Sequence, residues 1–417
     1  MLPLLFSRLK SSSFATTFFA TLGNRIMVMA LGLITSVAVA RYLGPEGRGL
    51  FAVAALVTGL GVQFGNLGLH AANTYEVAKY PHRLSVLLGN SLVAGLGFGF
   101  FLAVIAIGVQ WIFPQIVSIG GTLWWLAVAG IPIGIAYLLL QNLLLGLHRV
   151  KEFNLIELVS KLVAALLMAV ALYAGLRTPE WMAAATLVAV LIGCLWCLIL
   201  LKAGVDKVRL SLDQFNSSIG FGTKAYLAAM LAFLQQRIAL LLIQQDFGAT
   251  DAGFYSVAMT LFDLAFIIPV TVGTILFPRL SAMKDAKARW ELTSKVFWRV
   301  GIGMVAISAI AYLIAGFVIR MLFGDAFLPA ERYFQWLLPG LVFLSLSSIL
   351  MNYLGSSGMP LVVVYAPALA LLSMIASYYG GVSQLGAQCA AISTSTGFGV
   401  VLLIVGFYSL NTNKNHG

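Results

Sequence analysis

The sequence contains a series of apolar stretches long enough to cross a lipid bilayer. A transmembrane helix needs about 20 predominantly apolar residues, because the bilayer core has no water to satisfy the backbone. Only 9% of the 417 residues are charged and 61% are hydrophobic, whereas a soluble domain carries roughly 25% charged residues. We therefore predict an all-α polytopic membrane protein of about twelve transmembrane helices, at residues 15–40, 49–70, 84–112, 122–146, 155–176, 181–201, 221–246, 254–277, 297–319, 334–354, 360–379 and 386–408.

The positive charges are distributed unevenly between the two sets of loops. Of the 25 Lys and Arg residues, sixteen fall on the side of the termini, five fall in the alternate loops and four lie within predicted helices. Cytoplasmic loops carry an excess of Lys and Arg. We predict that both termini are cytoplasmic and that the protein resides in the plasma (inner) membrane. The net charge of +11 is then a topology signal. No basic cluster with interleaved aromatic residues points to nucleic acid.

This topology predicts which sites can be reached from outside the cell. Tags placed at Lys284 or Lys414 are expected to be protected from membrane-impermeant reagents, because both positions lie in positively charged segments. Tags near Glu180 or Asp325 are expected to react. Labelling of intact and permeabilised cells measures the difference. Reaction of the Lys284 tag in intact cells would contradict the topology.

An internal repeat relates the two halves of the chain. The segment RYLGPEGRGLFAVAALV aligns with QDFGATDAGFYSVAMTLF at a shift of 204 residues, so that Gly44, Gly49, Val53 and Ala54 each meet an identical residue. Both copies follow the first helix of a six-helix block and lie on the same membrane face. That arrangement is a parallel repeat, related by an axis along the membrane normal. The alternative is that glycine-rich turns recur by chance.

The repeat predicts two six-helix lobes, residues 1–210 and 211–417. Parallel repeats of this kind commonly build a transporter whose substrate path lies between the halves.

Four ionisable residues within or bordering the predicted helices are the best markers of function. A charged side chain at the centre of a helix costs roughly 3 kcal/mol on insertion scales, so it usually faces a water-filled cavity or a partner. Arg25 lies deep in the first helix, and Lys224 borders the seventh, where it could instead extend to the interface. Arg237 and Asp263 lie on antiparallel neighbouring helices, each about nine residues from the outer end. We predict that they share a depth and form an ion pair, which could be purely structural.

The cations on the first helix of each half predict an anionic ligand, since an arginine can bind a phosphate group through two hydrogen bonds. Gln63, Asn66 and His70 either line the same cavity or simply end the second helix. Cys194 and Cys197 lie in an apolar run, and the four histidines show no metal-ligand spacing. We therefore expect no metal and no cofactor.

Several segments resemble a known family. The stretch VAVARYLGPEGRGLFAVAAL resembles the joint between helices 1 and 2 in the polysaccharide-synthesis, Wzx-like branch of the multidrug/oligosaccharidyl-lipid/polysaccharide exporter superfamily. FGATDAGFYSVA resembles the joint between helices 7 and 8 of that family, and LFPRLS and IRMLFGDAFLPA are similar to further family segments. The resemblance covers essentially the whole chain, in order.

The resemblance implies a V-shaped pair of six-helix lobes that exports a polyprenyl-pyrophosphate-linked oligosaccharide from the cytoplasmic to the outer leaflet. Helices 1, 2, 7 and 8 would line a cationic cavity. Arg25 falls on helix 1, and Lys224 and Arg237 fall on helix 7. The implied partners are the lipid-linked oligosaccharide, membrane lipid, and a polysaccharide polymerase or glycosyltransferases. Transport breaks no covalent bond, so no catalytic residues are expected.

Three other functions stay open at this stage. A drug/cation antiporter of the same superfamily would need acidic residues in its cavity to bind a cationic drug, and this sequence offers only Asp263. A membrane enzyme of the same pathway, such as a glycosyltransferase or polymerase, usually needs a large outer loop or an acidic catalytic cluster. A non-transporting component of polysaccharide assembly is the third. Neighbouring glycosyltransferase genes would support the lipid-linked sugar.

Overall fold

The computed structural model describes residues 12–115, 117 and 119–414, with side chains for all of these except 12–22, 221, 222, 224 and 414. Regular structure in this described part is helical throughout. Among the described residues, nine helical segments are long and apolar enough to cross a membrane. Three of them, of 43, 58 and 52 residues, are each long enough for two crossings at 1.5 Å per residue. The predicted all-α membrane fold is thereby confirmed, and twelve crossings are accommodated.

The α-helices follow one another with short connections. Their bounds are α1 Ser12–Gly65, α2 Leu69–Lys79, α3 Leu84–Val93, α4 Gly99–Ile112, α5 Gly121–Gly146, α6 Val150–Tyr173, α7 Pro179–Lys202, α8 Leu212–Ala282, α9 Ala286–Phe323, α10 Ala330–Ser356, α11 Val362–Leu385 and α12 Cys389–Lys414. A π-helical turn, Ala94–Phe98, joins α3 to α4.

The two longest helices are sharply kinked at equivalent positions of the repeat. α1 bends at Gly44, with φ 70°, and α8 bends at Gly248, with φ 84°. Such φ values are left-handed and favour glycine. The sequence predicted a loop over residues 41–48, and this was wrong, because helix resumes directly after Gly44. Pro45 suits that restart, since its fixed φ is helical and its missing N–H is not needed in a first turn.

Two helices begin well before the predicted starts. α9 begins at Ala286 rather than residue 297, and α8 begins at Leu212 rather than 221. The added turns are polar, so a criterion of apolar length could not find them. Asp285 caps α9 by accepting a 3.0 Å hydrogen bond from the backbone N–H of Lys287, which satisfies one orphan donor of the helix start.

The chain forms two compact units, each described here by itself. Unit 1 comprises residues 1–42, 54–112 and 120–223, and unit 2 comprises 43–53, 113–119 and 224–417. In unit 1 an apolar core between α3, α5, α6 and α7 includes the thiols of Cys194 and Cys197. In unit 2 the core lies between α8, α10, α11 and α12. The two-lobe division at residues 1–210 and 211–417 remains a prediction.

Candidate functional site

Arg237 and Asp263 form an ion pair within unit 2. They lie on α8, on either side of the kink at Gly248, so the two arms of the helix run antiparallel and bring the side chains to one depth. Arg237 Nη2 donates to Asp263 Oδ2 at 2.7 Å, a short, charge-assisted hydrogen bond. The structure thus brings together the two residues that were predicted to share a depth from their distance to the outer helix ends.

The pair is reachable rather than sealed in the protein. The side chain of Arg237 is 34% exposed and that of Asp263 is 38% exposed. A guanidinium has five N–H donors, so the bond to Asp263 leaves donors available for a second acceptor. This arrangement can bind an anion while keeping one arginine charge partly neutralised in the apo state.

Aromatic packing holds the arm of α8 that carries Asp263. The Phe262 ring stacks on Phe398 of α12 with ring centroids 5.9 Å apart. Tyr255 lies two helical turns closer to the kink than Phe262. Its hydroxyl oxygen is 3.2 Å from Oγ1 of Thr394, which is a hydrogen bond. Both contacts join α8 to α12, so the position of Asp263 is coupled to that helix.

The other two predicted cations, Arg25 and Lys224, lie on α1 and α8. Arg25 lies on α1 in unit 1 with an exposed side chain, and within the described residues no acidic group forms a salt bridge with it. Lys224 lies on α8, but its side chain is outside the described part. The predicted grouping of these cations with Arg237 in one cavity therefore stays a prediction.

The Asn66 side chain stabilises the break between α1 and α2. The backbone turns at Leu67, with φ 47°, and Gly68, with φ 78°, which separates α1 from α2. The fully buried Asn66 side chain spans the break: its Nδ2 donates to the Gln63 carbonyl at 2.8 Å, and its Oδ1 accepts from the Gly68 N–H at 2.9 Å. His70 Nδ1 also lies 2.8 Å from that Oδ1. Gln63 and His70 are half-buried, and the cavity-lining role of these three residues remains a hypothesis.

The two copies of the repeat cross at a pair of glycines in unit 2. A Cβ atom on Gly49 would lie 1.8 Å from the Ala249 carbonyl oxygen, and one on Gly253 would lie 1.9 Å from the Pro45 carbonyl oxygen. The two contacts are reciprocal, because Pro45 and Ala249 are related by the same 204-residue shift as the glycines. Backbone therefore packs directly on backbone at this crossing.

Arg48, which the sequence placed in an outer loop, is instead buried beside the crossing. It is 8% exposed, and it donates from Nε to Ser256 Oγ at 3.2 Å and from Nη2 to Thr260 Oγ1 at 3.3 Å. The equivalent residue of the second copy is Ala252. The first copy therefore contributes an arginine that hydrogen-bonds to the second copy, and the second copy has no matching arginine. The loop assignment was wrong because helix continues past Gly44. The available signal was the position of Arg48 between Gly44 and Gly49, two glycines that recur at the same spacing in the second copy of the repeat.

Two carboxylates flank the kink of α8, and each accepts a hydrogen bond from a buried tyrosine. Tyr378 of α11 donates to Asp246 Oδ2 at 2.7 Å, and Tyr333 of α10 donates to Asp251 Oδ1. These bonds anchor the kink to α10 and α11. In the described part of the chain, no group of three or more His, Cys, Asp or Glu residues could hold a metal ion.

Comparison with known protein families gives a match over residues 38–332, to the family described as polysaccharide biosynthesis protein. The chain belongs to this family. The matched region includes both glycine motifs, the buried Arg48, and the Arg237–Asp263 pair. A search of curated protein sequences finds no significant match.

Solved structures share the fold of this family member at low sequence identity. An inward-facing multidrug resistance MATE family transporter of the MOP superfamily superposes with a TM-score of 0.79 at 13% identity, covering 93% of this chain and 95% of its own. The lipid II flippase MurJ, in an inward closed conformation, has a TM-score of 0.72 at 13% identity, covering 94% and 87%. The MATE transporter VcmN of Vibrio cholerae, in its bent form, has a TM-score of 0.64 at 14% identity, covering 97% and 98%. The fold is therefore that of the MOP transporters and flippases.

Proposed function

We propose that this protein is a flippase that moves a polyprenyl-pyrophosphate-linked oligosaccharide from the cytoplasmic to the outer leaflet of the plasma membrane by alternating access. Its family and its fold support a membrane flippase or exporter. The finer assignment of the substrate rests on the charge of the intramembrane residues.

The observation that carries the proposal is the state of Asp263. A cationic drug would need an acidic group that is free to receive it, and this carboxylate already accepts a 2.7 Å hydrogen bond from Arg237. The arginine retains unused N–H donors and is about one-third exposed, so its guanidinium can bind an anionic group while Asp263 stays paired. A pyrophosphate suits such a site, because its oxygens can accept several N–H donors of one guanidinium.

The polar head and the apolar tail of the proposed substrate place different demands on the protein. Pyrophosphate and sugars cannot enter hydrocarbon cheaply, since charged and polar groups lose their hydration there. A polyprenyl tail can remain in lipid throughout the movement. The protein needs to shelter only the head, and the energy released by pyrophosphate binding can offset separation of Arg237 from Asp263. In this proposal the arginine exchanges one anionic partner for another.

Ligand-induced stabilisation tests the substrate class. A ligand present at 100 times its dissociation constant stabilises the folded state by about 2.7 kcal/mol, which raises the melting temperature measurably. Polyprenyl pyrophosphate is expected to raise the melting temperature of the purified protein, whereas the matching polyprenol, which lacks phosphate, is expected not to. Stabilisation by tetraphenylphosphonium, with none by polyprenyl pyrophosphate, would instead indicate a drug/cation antiporter.

Arg25 gives a second test of the same proposal, in cells. If it receives the pyrophosphate, Arg25→Ala is expected to abolish export in a complementation assay while protein abundance stays near normal. Arg25→Lys is expected to restore export only partly, because a point charge replaces a planar fork of donors. Arg209→Ala, at an exposed arginine of the loop before α8, serves as the control. Full activity of Arg25→Ala would remove this residue from the site.

A further inference from the structure

Unit 2 carries a groove of about 640 Å³ between α9 and α10. Its walls include Val305 and Tyr312 from α9 and Trp336 from α10, and all three side chains are exposed. Large exposed apolar side chains on a membrane-spanning helix face lipid. The groove is therefore a recess on a lipid-facing surface, apart from the Arg237–Asp263 pair.

The register of the two helices fixes the depth of each residue in the groove. A Cβ atom on Gly316 would contact the Glu331 carboxylate, and one on Gly301 would contact Leu346. These contacts place Tyr312 level with Gln335 and Val305 level with Val342. The antiparallel helices are joined just before α10, so Arg332 lies at the joined end and Val342 lies about 15 Å deeper at 1.5 Å per residue.

Polarity changes along that depth. Arg332 lines the groove nearest the joined end. Gln335, Tyr312 and Trp336 follow at about one level, and the deepest wall is formed by Val305 and Val342. Tyrosine and tryptophan are enriched where headgroups meet hydrocarbon. With increasing depth, the groove presents a cation, then aromatic side chains, then aliphatic side chains. A phospholipid presents its charged headgroup, its interfacial region and its acyl chains in the same order.

Charges of both signs lie at the joined end of the two helices. Arg332 lines the groove there. Glu331, the preceding residue, lies beside the groove and accepts a 3.0 Å hydrogen bond from Nε2 of Gln335, which lines it. Glu331 makes no salt bridge within the described residues. An anionic headgroup would meet both an attractive and a repulsive charge, whereas a zwitterionic headgroup can pair its phosphate with the arginine and its ammonium with the carboxylate.

We propose that this groove binds one zwitterionic glycerophospholipid with an ammonium headgroup, of the phosphatidylethanolamine type. Its phosphate binds Arg332, and its ammonium binds Glu331. One acyl chain lies over the aliphatic floor. The site is a lipid-binding site separate from the proposed transport pathway, and its occupancy does not depend on which substrate is exported.

Native mass spectrometry of the purified protein, titrated with phosphatidylethanolamine or phosphatidylglycerol, measures this site directly. Arg332→Ala removes the phosphate partner, and Ala309→Phe fills the groove from an exposed position without changing charge. Each is expected to weaken phosphatidylethanolamine binding at least tenfold. Glu331→Gln is expected to abolish the preference for phosphatidylethanolamine over phosphatidylglycerol.

Two variants outside the groove serve as matched controls. Ala306→Phe adds the same ring at another exposed position of α9, and Arg320→Gln removes an arginine whose Nε pairs with Asp325 at 2.6 Å. Both are expected to bind lipid like the unmodified protein. Equal binding by all five variants would overturn the proposal, as would tighter binding of phosphatidylglycerol to the unmodified protein. Preferential displacement by polyprenyl phosphate would also overturn it, because the groove would then serve the transported lipid.

Discussion

Gly49→Ala and Gly253→Ala are each expected to prevent most of the protein from reaching a folded, extractable state. The added methyl group would lie 1.8 Å from the Ala249 carbonyl oxygen in the first case and 1.9 Å from the Pro45 carbonyl oxygen in the second. A backbone carbonyl cannot rotate away as a flexible side chain can, so the helices themselves must separate. Overpacking a well-packed contact typically costs 1–3 kcal/mol, and more where the backbone must move. We expect a loss of at least about 3 kcal/mol here.

The fraction of monodisperse protein after detergent extraction, together with its melting temperature, measures this effect. Gly32→Ala is the matched control, because Gly32 lies on the same helix, α1, with nothing within 4 Å of its Cβ position. Alanine favours helix over glycine by up to about 1 kcal/mol, so this control is expected to be neutral or stabilising. Normal yield and melting of both crossing variants would show that the two copies of the motif do not pack as closely as the structure has them.

Breaking the Arg237–Asp263 pair is expected to cost both stability and transport. Asp263→Asn and Arg237→Gln each leave one charge without its partner inside a membrane-spanning helix. An uncompensated charge at the helix centre costs roughly 3 kcal/mol on insertion scales. Since both side chains are about one-third exposed, we expect a smaller loss of about 1–2 kcal/mol for each single variant.

The double variant separates the structural role of the pair from its role in binding. With both charges removed, stability is expected to return to within about 0.5 kcal/mol of the unmodified protein, while transport stays lost because Arg237 is missing. Thermal unfolding in detergent and an export assay measure the two properties. The Arg320–Asp325 pair is the control cycle, since its side chains are 68% and 67% exposed and exposed pairs couple by less than about 1 kcal/mol.

Simple addition of the two stability losses would show that Arg237 and Asp263 are not energetic partners. Asp263 would then be an independent acidic group available to a cation. That result would favour a drug/cation antiporter over a lipid-linked sugar flippase.

The helices were predictable from sequence wherever apolar length decides the structure. Bilayer thickness sets a minimum length that few other segments meet, so the positions of the spans follow from counting. The same reasoning failed where a helix extends beyond the apolar region. Residues 286–296 carry Lys287, Arg289 and Glu291, and these turns of α9 are held by an N-terminal cap and tertiary packing rather than by hydrophobicity.

The ion pair was predictable for a geometric reason. Arg237 and Asp263 each lie about nine residues from the predicted outer end of their helix, so their shared depth followed from residue spacing alone. Their rotation about the helix axis did not follow, and only the structure shows that they face each other. The burial of Arg48 was not predicted, because Gly44 could either end a helix or kink it. If the helix ended there, Arg48 would lie in a loop in water. Because the helix is only kinked, Arg48 lies beneath a second helix.

The glycine crossing shows what a repeat alone cannot reveal. A shift of 204 residues established that two segments are alike, but similarity does not say that they touch. In the structure Gly49 and Gly253 allow direct backbone contact between the two copies, which explains why glycine occupies both positions. Gly44 and Gly248 have a different requirement, because their positive φ rather than close packing excludes a side chain.

Reconstitution tests the proposed export most directly. Purified protein is placed in vesicles that contain a polyprenyl-pyrophosphate-linked oligosaccharide in both leaflets, and a membrane-impermeant glycosidase is added outside. The flippase account predicts that the protected inner-leaflet fraction is digested rapidly with the unmodified protein, and only at the protein-free rate with Arg237→Gln. Digestion at the protein-free rate by the unmodified protein, in vesicles that expel tetraphenylphosphonium against a proton gradient, would contradict it.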